Sequence, residues 1–533
     1  MKGDFSRVSF DPRHHFSQVL LQQGRVTLDA DPNEQGAILL HYLRTMALDL
    51  FGPYAAPAMA PGFGLTLAEA NGGLALRIDA GRYYVQGILC ESEGCDYLDQ
   101  PHFTPGDGKN GEEDALRHWL GASNRDSARF FVYLKVWERH VTSLEMPHLR
   151  EVALGGPDTC SRTQVVWQVR ALEMAVVEKT LQGQLEALKK ALDQAKDKDE
   201  IERLQASIDA LQSDLSLLRE TPDEACAVPL RVFDRDPPLM NLRLQPPERL
   251  DDPCITDPDV AYRGAENHLY RIEIHRGSDS GAPTFKWSRD NGSVATRWIS
   301  GGGKRLRVAN ARGFADAQWV ELSEEADDLL GRPGSLCRLA SVEGDELVLA
   351  ADAPRVVGPT SRVRRWDQQE REDIVLDDGA VPLRPSSGLE DDWIDLEDGV
   401  QVRFDLTREY RTGDYWYTPV RTTGDTGWAQ DEDGEPLPRA PHGTEFHYAP
   451  LGFVGLLPTG APGISTTCGC VVKPFRTCGA LTRQPKPPID AIVVRNDTPT
   501  DTKPNTRTDS TPDAKPAVDT VTRKTRTIKK KDG

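Results

Sequence analysis

The stretch FFVYLKVWERHV, residues 130–141, reads as a β-strand dense in aromatic and β-branched residues, with Phe131, Tyr133 and Trp137 among its large side chains. Upstream, LALRIDAGRYYVQGILCE (74–91) alternates apolar and polar residues around Gly81 and Gly87. Downstream, TQVVWQVRALEM (163–174) supplies another strand. A loop rich in Gly, Asp and Asn is expected over residues 101–127. Together these segments predict a small antiparallel β-domain.

Before it, LLQQGRVTLDADPNEQGAILLHYLRTMALDLFGP (20–53) carries a helix signal. Asp31 followed by Pro32 marks the start, and Gly52-Pro53 the stop. Ile38, Leu39, Tyr42, Leu43, Met46, Ala47 and Leu50 recur at helical spacing. The expectation is an amphipathic helix packed on its own sheet with Leu43 buried; the alternative is a helix that docks onto a partner. After the β-domain, Leu181, Leu185, Leu188 and Leu192 are spaced four, three, four. Ile201, Leu204, Ile208, Leu211, Leu215 and Leu218 continue in a heptad register that does not join the first in phase. Two helices folded back near Asp197 are expected, with one stuttered helix as runner-up. Leu181, Leu185, Leu188, Leu204, Leu211 and Leu215 are the candidate interaction residues of this hairpin.

The Pro-rich stretch 234–253 reads as a connector. Strand patterns then return at ENHLYRIEIHRG (266–277), RLRVANARGF (305–314), QWVELSEE (318–325), CRLASVEGDELVLA (337–350), RVRRWDQ (362–368) and VQVRFDL (400–406). FKWSRDNGSVATRWI (285–299) predicts a hairpin turning on Asn291-Gly292. The regular spacing indicates a sandwich or barrel, with Trp287, Trp298, Trp319 and Trp366 as core anchors. The predicted class is mainly β with α insertions: antiparallel sandwich- or barrel-like domains, an N-terminal amphipathic helix, a coiled-coil hairpin and a disordered C-terminal tail. The predicted layout is 1–170 helix plus small β-domain, 171–221 hairpin, 222–253 connector, 254–480 main β-domain and 481–533 tail. That tail rotates Thr, Asp, Pro and Lys, which cannot bury enough apolar surface to offset ordering.

A net charge of -19 repels nucleic acid and anionic membrane. The basic cluster Arg523, Lys524, Arg526, Lys529, Lys530 and Lys531 at the end is the exception. The N-terminus has no apolar stretch of the secretory type, so a start in the cytosol is expected, with any export following lysis or a dedicated apparatus. Nine scattered cysteines then read as free thiols. Cys468, Cys470 and Cys478 cluster, and a zinc site there would need a fourth ligand such as His442 or His447; a Gly-rich turn is the plainer reading. The pair His14-His15 diverges and makes a poor clamp. There is no phosphate loop, nucleophile elbow or zinc-protease motif. Asp391, Asp392, Asp395 and Glu397 could serve a glycosidase or bind calcium, but an acidic turn is expected. Tyr410, Tyr415, Trp416 and Tyr417 among Arg408, Arg411 and Arg421 read as a β-edge, with sugar stacking as the alternative. No cofactor and no catalytic residue is assigned.

The strings MKGDFSRVSFDPRHHFSQVLLQQGRVTLDADPNEQ, GRYYVQGILCE, FKWSRDNGSV, YRTGDYWYTPVR and HYAPLG resemble a family of bacterial proteins of unassigned biochemical function, over roughly residues 1–480. Members of that family accompany phage-tail-like contractile injection systems. The resemblance implies a non-enzymatic structural component at the baseplate or outer surface of such a particle, assembled in the cytoplasm and released outside the cell as part of the particle, present in several copies, with other particle subunits as partners. The rival reading is a particle-carried cell-wall or carbohydrate hydrolase, or a glycan-binding module.

Overall fold

The computed structural model describes residues 1–70, 73–106, 114–155, 158–221, 224–245, 262–371, 374–383 and 392–473. The expected disordered tail, Asp391, Cys254 and Cys478 lie outside these residues.

An irregular segment leads into α1 (Ala30–Phe51), which Gly52 ends at φ 77°. The helix starts before the expected cap. Asp29 stands at the N-cap, its carboxylate accepting from Ser6, and Asp31 accepts from the Leu28 N–H at 3.0 Å. Strands β1 (Tyr54–Pro57), β2 (Leu65–Ala70), β3 (Gly73–Ile78), β4 (Gly81–Val85), β5 (Ile88–Ser92) and β6 (Cys95–Asp96) follow. α2 (Ala115–Gly121) falls in the stretch expected as loop. Asp114 caps it, and Leu116, Trp119 and Leu120 are buried, so one apolar face sufficed to fix a helix too short for periodicity to reveal. β7 (Arg129–Val141) and β8 (Arg162–Glu173) pair antiparallel along their whole length. α3 (Met174–Gln194) and α4 (Lys198–Glu220) make the expected helical hairpin, broken at Ala195–Asp197, where the Asp197 side chain accepts from the Asp199 and Glu200 N–H groups.

The remaining elements are β9 (Met240–Leu244), β10 (His268–Arg276), β11 (Thr284–Ser288), β12 (Ala295–Gly302), β13 (Arg305–Val308), β14 (Trp319–Ser323), α5 (Glu325–Leu330), β15 (Ser335–Glu343) and β16 (Glu346–Leu349). After them come β17 (Arg362–Trp366), β18 (Val381–Pro382), β19 (Ile394–Asp395), β20 (Val400–Phe404), β21 (Tyr415–Val420), β22 (His447–Leu456), β23 (Pro462–Thr467) and β24 (Val471–Val472). The fold is mainly β, as expected. Sheets β18-β11-β10-β21 and β19-β20-β9 share one core around Tyr270, Ile272, Phe285, Val402 and Trp416. Strands β12-β13-β16-β15-β14-β17 close a barrel around Trp298, Leu306, Val320, Leu347 and Val363.

Three expectations need correction. The stretch 234–253 is more than a connector: Met240 and Leu242 are fully buried and β9 pairs with β20. Asn291 (φ 50°) and Gly292 (φ 62°) do form a tight turn, but β11 and β12 do not pair with each other. β11 stays with β10 while β12 enters the barrel, and the buried Asn291 amide donates to the carbonyls of Met1 and Gly3 at 3.0 and 2.9 Å. The segment 254–480 is not self-contained either. β22 returns to pair with β7, and β24 pairs with β1, so the C-terminal strands complete the N-terminal sheets. Such long-range pairing leaves no trace in local pattern.

β7 lies inside the sheet β23-β22-β7-β8 and is covered on both faces. Phe130, Val132, Leu134 and Val136 join the core with Tyr83 and Trp167, while Phe131 and Tyr133 meet Phe453 and the hairpin. That double cover explains the unbroken FFVYL run. The return of β22 also brings Cys468 to Cys226, and the two form a disulfide across 242 residues. These two cysteines are therefore not the expected free thiols. Leu211 sits in the hairpin seam at 4% exposure, whereas Leu217 on the same helix is 38% exposed. Leu211→Ala is expected to cost about 2–5 kcal/mol in urea unfolding, and Leu217→Ala about 0.5 kcal/mol. Equal losses would mean that the seam is not the hairpin's core.

Candidate functional site

Strand alternation places Arg271 and Glu273 on the face of β10 opposite Tyr270, Ile272 and Ile274. Lys286 does the same on β11, Glu321 and Ser323 on β14, and Arg362 and Arg364 on β17. Such faces ordinarily meet water. In this chain they are buried against one another, so an ionic layer separates the sandwich from the barrel. Glu273 and Lys286 are cross-strand partners, as are Glu321 and Arg364. Lys286 Nζ lies 3.3 Å from Glu273 Oε1 and 2.5 Å from Glu321 Oε1. Arg271 holds Glu273 Oε2 at 2.7 Å, and Trp366 Nε1 donates to Glu321 Oε2 at 2.8 Å. Arg362 bridges Glu145 at 2.5 Å and also pairs with Asp328.

The N-terminal residues thread into this layer. Lys2 Nζ reaches Glu273 Oε1 at 2.9 Å, and the Met1 carbonyl accepts from Arg271 Nη1 at 3.2 Å. The layer borders a cavity of about 590 Å³ that is also lined by α1 residues Ala37, Leu40 and Arg44 and by His140 of β7. Burial pushes the Glu273 carboxyl upward, but Lys2, Arg271 and Lys286 outweigh it and hold the group well below the usual carboxylate range. Glu321, Glu145 and Asp328 are likewise lowered by neighbouring cations against their burial. These four carboxylates are held ionised, so they act as counter-ions rather than proton donors near neutral pH. The sequence signal for the layer was present, as charges of both signs alternating with large apolar residues, but alternation alone reads as a wet face.

Of the four carboxylates of the acidic stretch, Asp395 and Glu397 take separate partners. Glu397 accepts from Tyr270 Oη at 2.9 Å and pairs with Arg289 at 2.5 Å; burial raises its pKa. Asp395 accepts from Gln401 at 2.6 Å. Tyr410, Tyr415 and Trp416 are buried, and Tyr417 stacks on His442 with ring centroids 4.0 Å apart, so the aromatic run is core rather than a sugar platform. Cys468 is consumed by its disulfide and Cys470 is a free, exposed thiol. His447 lies 3.9 Å from Glu445, and no metal-binding group of three ligands occurs among the described residues. In the hairpin, Leu181, Leu185, Leu211 and Leu215 are buried within the chain, with Leu188 and Leu204 half-buried. Their seam closes on Phe131, Tyr133 and Phe453 and offers little face to a partner.

The hairpin exposes Val176, Ile201 and Leu217 singly, and a denser set of exposed apolar side chains lies in α1 and the segment before it. The expected burial of Leu43 does not hold: Leu39, Tyr42, Leu43, Met46 and Leu50 are 50–57% exposed, while Ile38 and Ala30 carry the packing. The helix faces the body with the side opposite its richest stripe. Arg44 fixes that orientation by pairing with Glu138 of β7 at 2.8 Å. Phe16, Leu20, Leu21, Val26 and Leu28, in the segment before the helix, are 42–86% exposed. The Val19 N–H donates to Gln35 Oε1 at 2.8 Å and holds this segment beside the first turns of α1.

The chain belongs to a family of unknown function (DUF6519), whose pattern matches residues 1–311 and 347–531. No curated protein matches it. A crystal structure of TssK is similar over 74% of this chain and 99% of that one, at 8% identity with a TM-score of 0.13, a likeness too low to support any argument.

The ionic layer yields a stability test. Glu273→Gln would leave Lys2, Arg271 and Lys286 without their shared counter-charge, an expected loss of about 3–5 kcal/mol at pH 7. Because the folded pKa is depressed, this contribution is complete above the unfolded value of about 4.3 and fades as pH falls through the lower folded value. Denaturant curves of the two proteins should therefore differ at pH 7 and draw together as pH falls below about 4.3. A constant gap down to pH 2 would contradict the charge pairing.

Proposed function

We propose that this member of the DUF6519 family is a structural, non-enzymatic subunit of a phage-tail-like contractile particle, seated at the baseplate or outer surface and held by α1 and the segment before it. One observation carries the reading: the large apolar side chains of residues 16–50 that face solvent on a well-formed helix and its flank. Contiguous apolar surface beyond a few hundred Å² marks an interaction site on a soluble protein. The resemblance of the N-terminal strings and the later motifs to proteins that accompany contractile systems supports the setting. The neutralised ionic layer suits a rigid body more than a reactive centre, since its carboxylates are locked to fixed cations.

Particles purified from cells carrying Leu43→Asp test this. At high dilution the variant should melt as the native protein does, because the position is exposed, yet its content in particles carrying sheath, tube and baseplate proteins should fall at least about tenfold, the loss of roughly 1.4 kcal/mol or more of contact energy. Undiminished content would contradict the assignment of α1, and absence of the native protein from such particles would contradict the function.

A further inference from the structure

We propose that the exposed stripe of α1 is where two copies of this chain meet, pairing helix to helix; this deepens the assembly reading above and rests on it. Leu39, Leu43, Met46 and Leu50 are spaced four, three, four, the repeat of a coiled-coil seam. At about 100° per residue, Tyr42, Met46, Leu39, Leu50 and Leu43 fall within an arc of roughly 100°. That arc points away from Ala30 and Arg44, which face the body, while buried Ile38 borders it about 40° from Tyr42.

The occupant follows from shape, charge and area. A seam of this repeat accepts knobs from an equivalent seam, and an identical helix supplies one about a two-fold axis. The arc itself holds no charged residue, and Asp31 and Asp49 stand at its edge, about 20° beyond Tyr42, so the centre of a contact between two such chains is apolar. The five stripe side chains present on the order of 500 Å², and the five of the segment held beside the first turns of α1 a similar further area, together of the same order as the about 800 Å² per partner in a stable interface. A free monomer's largest apolar patch is typically about 300–600 Å². The hairpin shows the alternative fate of such a repeat within the same chain: its seam is closed by β7 and β22, whereas nothing in the described residues covers the stripe of α1.

Sedimentation equilibrium of the full chain at micromolar concentration tests the pairing. The native protein should weigh twice the monomer or a multiple of it. Leu43→Asp and, independently, Met46→Lys should weaken association at least about 100-fold, because each places an unpaired charge in the seam. Both should keep the native circular-dichroism spectrum and melt as the native protein does at dilutions where it is monomeric. Val356→Asp, at another exposed apolar position, should leave the mass unchanged. A monomeric native protein, or full association of both seam variants, overturns the pairing. If the native protein is monomeric yet Leu43→Asp still fails to enter particles, only the pairing falls and the stripe docks on a different subunit. If the native protein pairs but is absent from particles, the function falls and the pairing stands.

Discussion

Glu273 must hold three cations at once, and much of the architecture follows from that. Lys2, Arg271 and Lys286 come from three different segments and converge on one buried carboxylate. Lys286 passes the contact on to Glu321 of the barrel. Removing such charges from water costs several kcal/mol per ion unless each finds partners in good geometry. The sandwich and the barrel can therefore stack on their polar faces only in the register that pairs them, and the N-terminal segment is fixed because Lys2 completes the set. An apolar interlayer would hold two domains as tightly but would tolerate sliding. The ionic layer supplies orientation, at the expense of tolerance to losing any single member.

That constraint also accounts for the placement of α1. With the preceding segment anchored at Lys2 and at the bond from Ser6 to Asp29, and with Arg44 paired to Glu138, the helix is pinned at its start and its middle by polar contacts. Its apolar stripe is left outward. The hairpin does the reverse, since α3 and α4 bury their seam on the second face of β7. Two apolar repeats in one chain thus have opposite destinations. The difference lies in the anchors around each helix rather than in the repeats themselves.

The mainly β class, the helical hairpin with its break near Asp197 and the helix over residues 30–51 were legible, because each rests on local periodicity or capping. Three kinds of feature were not. Pairing across long separations, as in β22 with β7 or Cys226 with Cys468, is set by the return path of the chain and leaves no local mark. The Asn291-Gly292 turn was visible, but the divergence of its two strands into separate layers was not. The orientation of a side chain was also hidden: an alternating strand such as RIEIHR reads as half wet, and only the second layer shows that Arg271 and Glu273 are dry. For the same reason Leu43 reads as core while lying on the surface. Periodicity identifies the stripe of a helix but not whether the chain itself covers it.

The most direct check on the central claim, that another chain covers the α1 stripe, is peroxide oxidation of methionine read by peptide mass spectrometry in the assembled and the dilute protein. Met46 lies in the stripe, and Met59, 71% exposed and outside α1, serves as internal reference. Both should oxidise at similar rates at high dilution, and Met46 but not Met59 should become protected on assembly. Equal oxidation of Met46 and Met59 in the assembled state would contradict it.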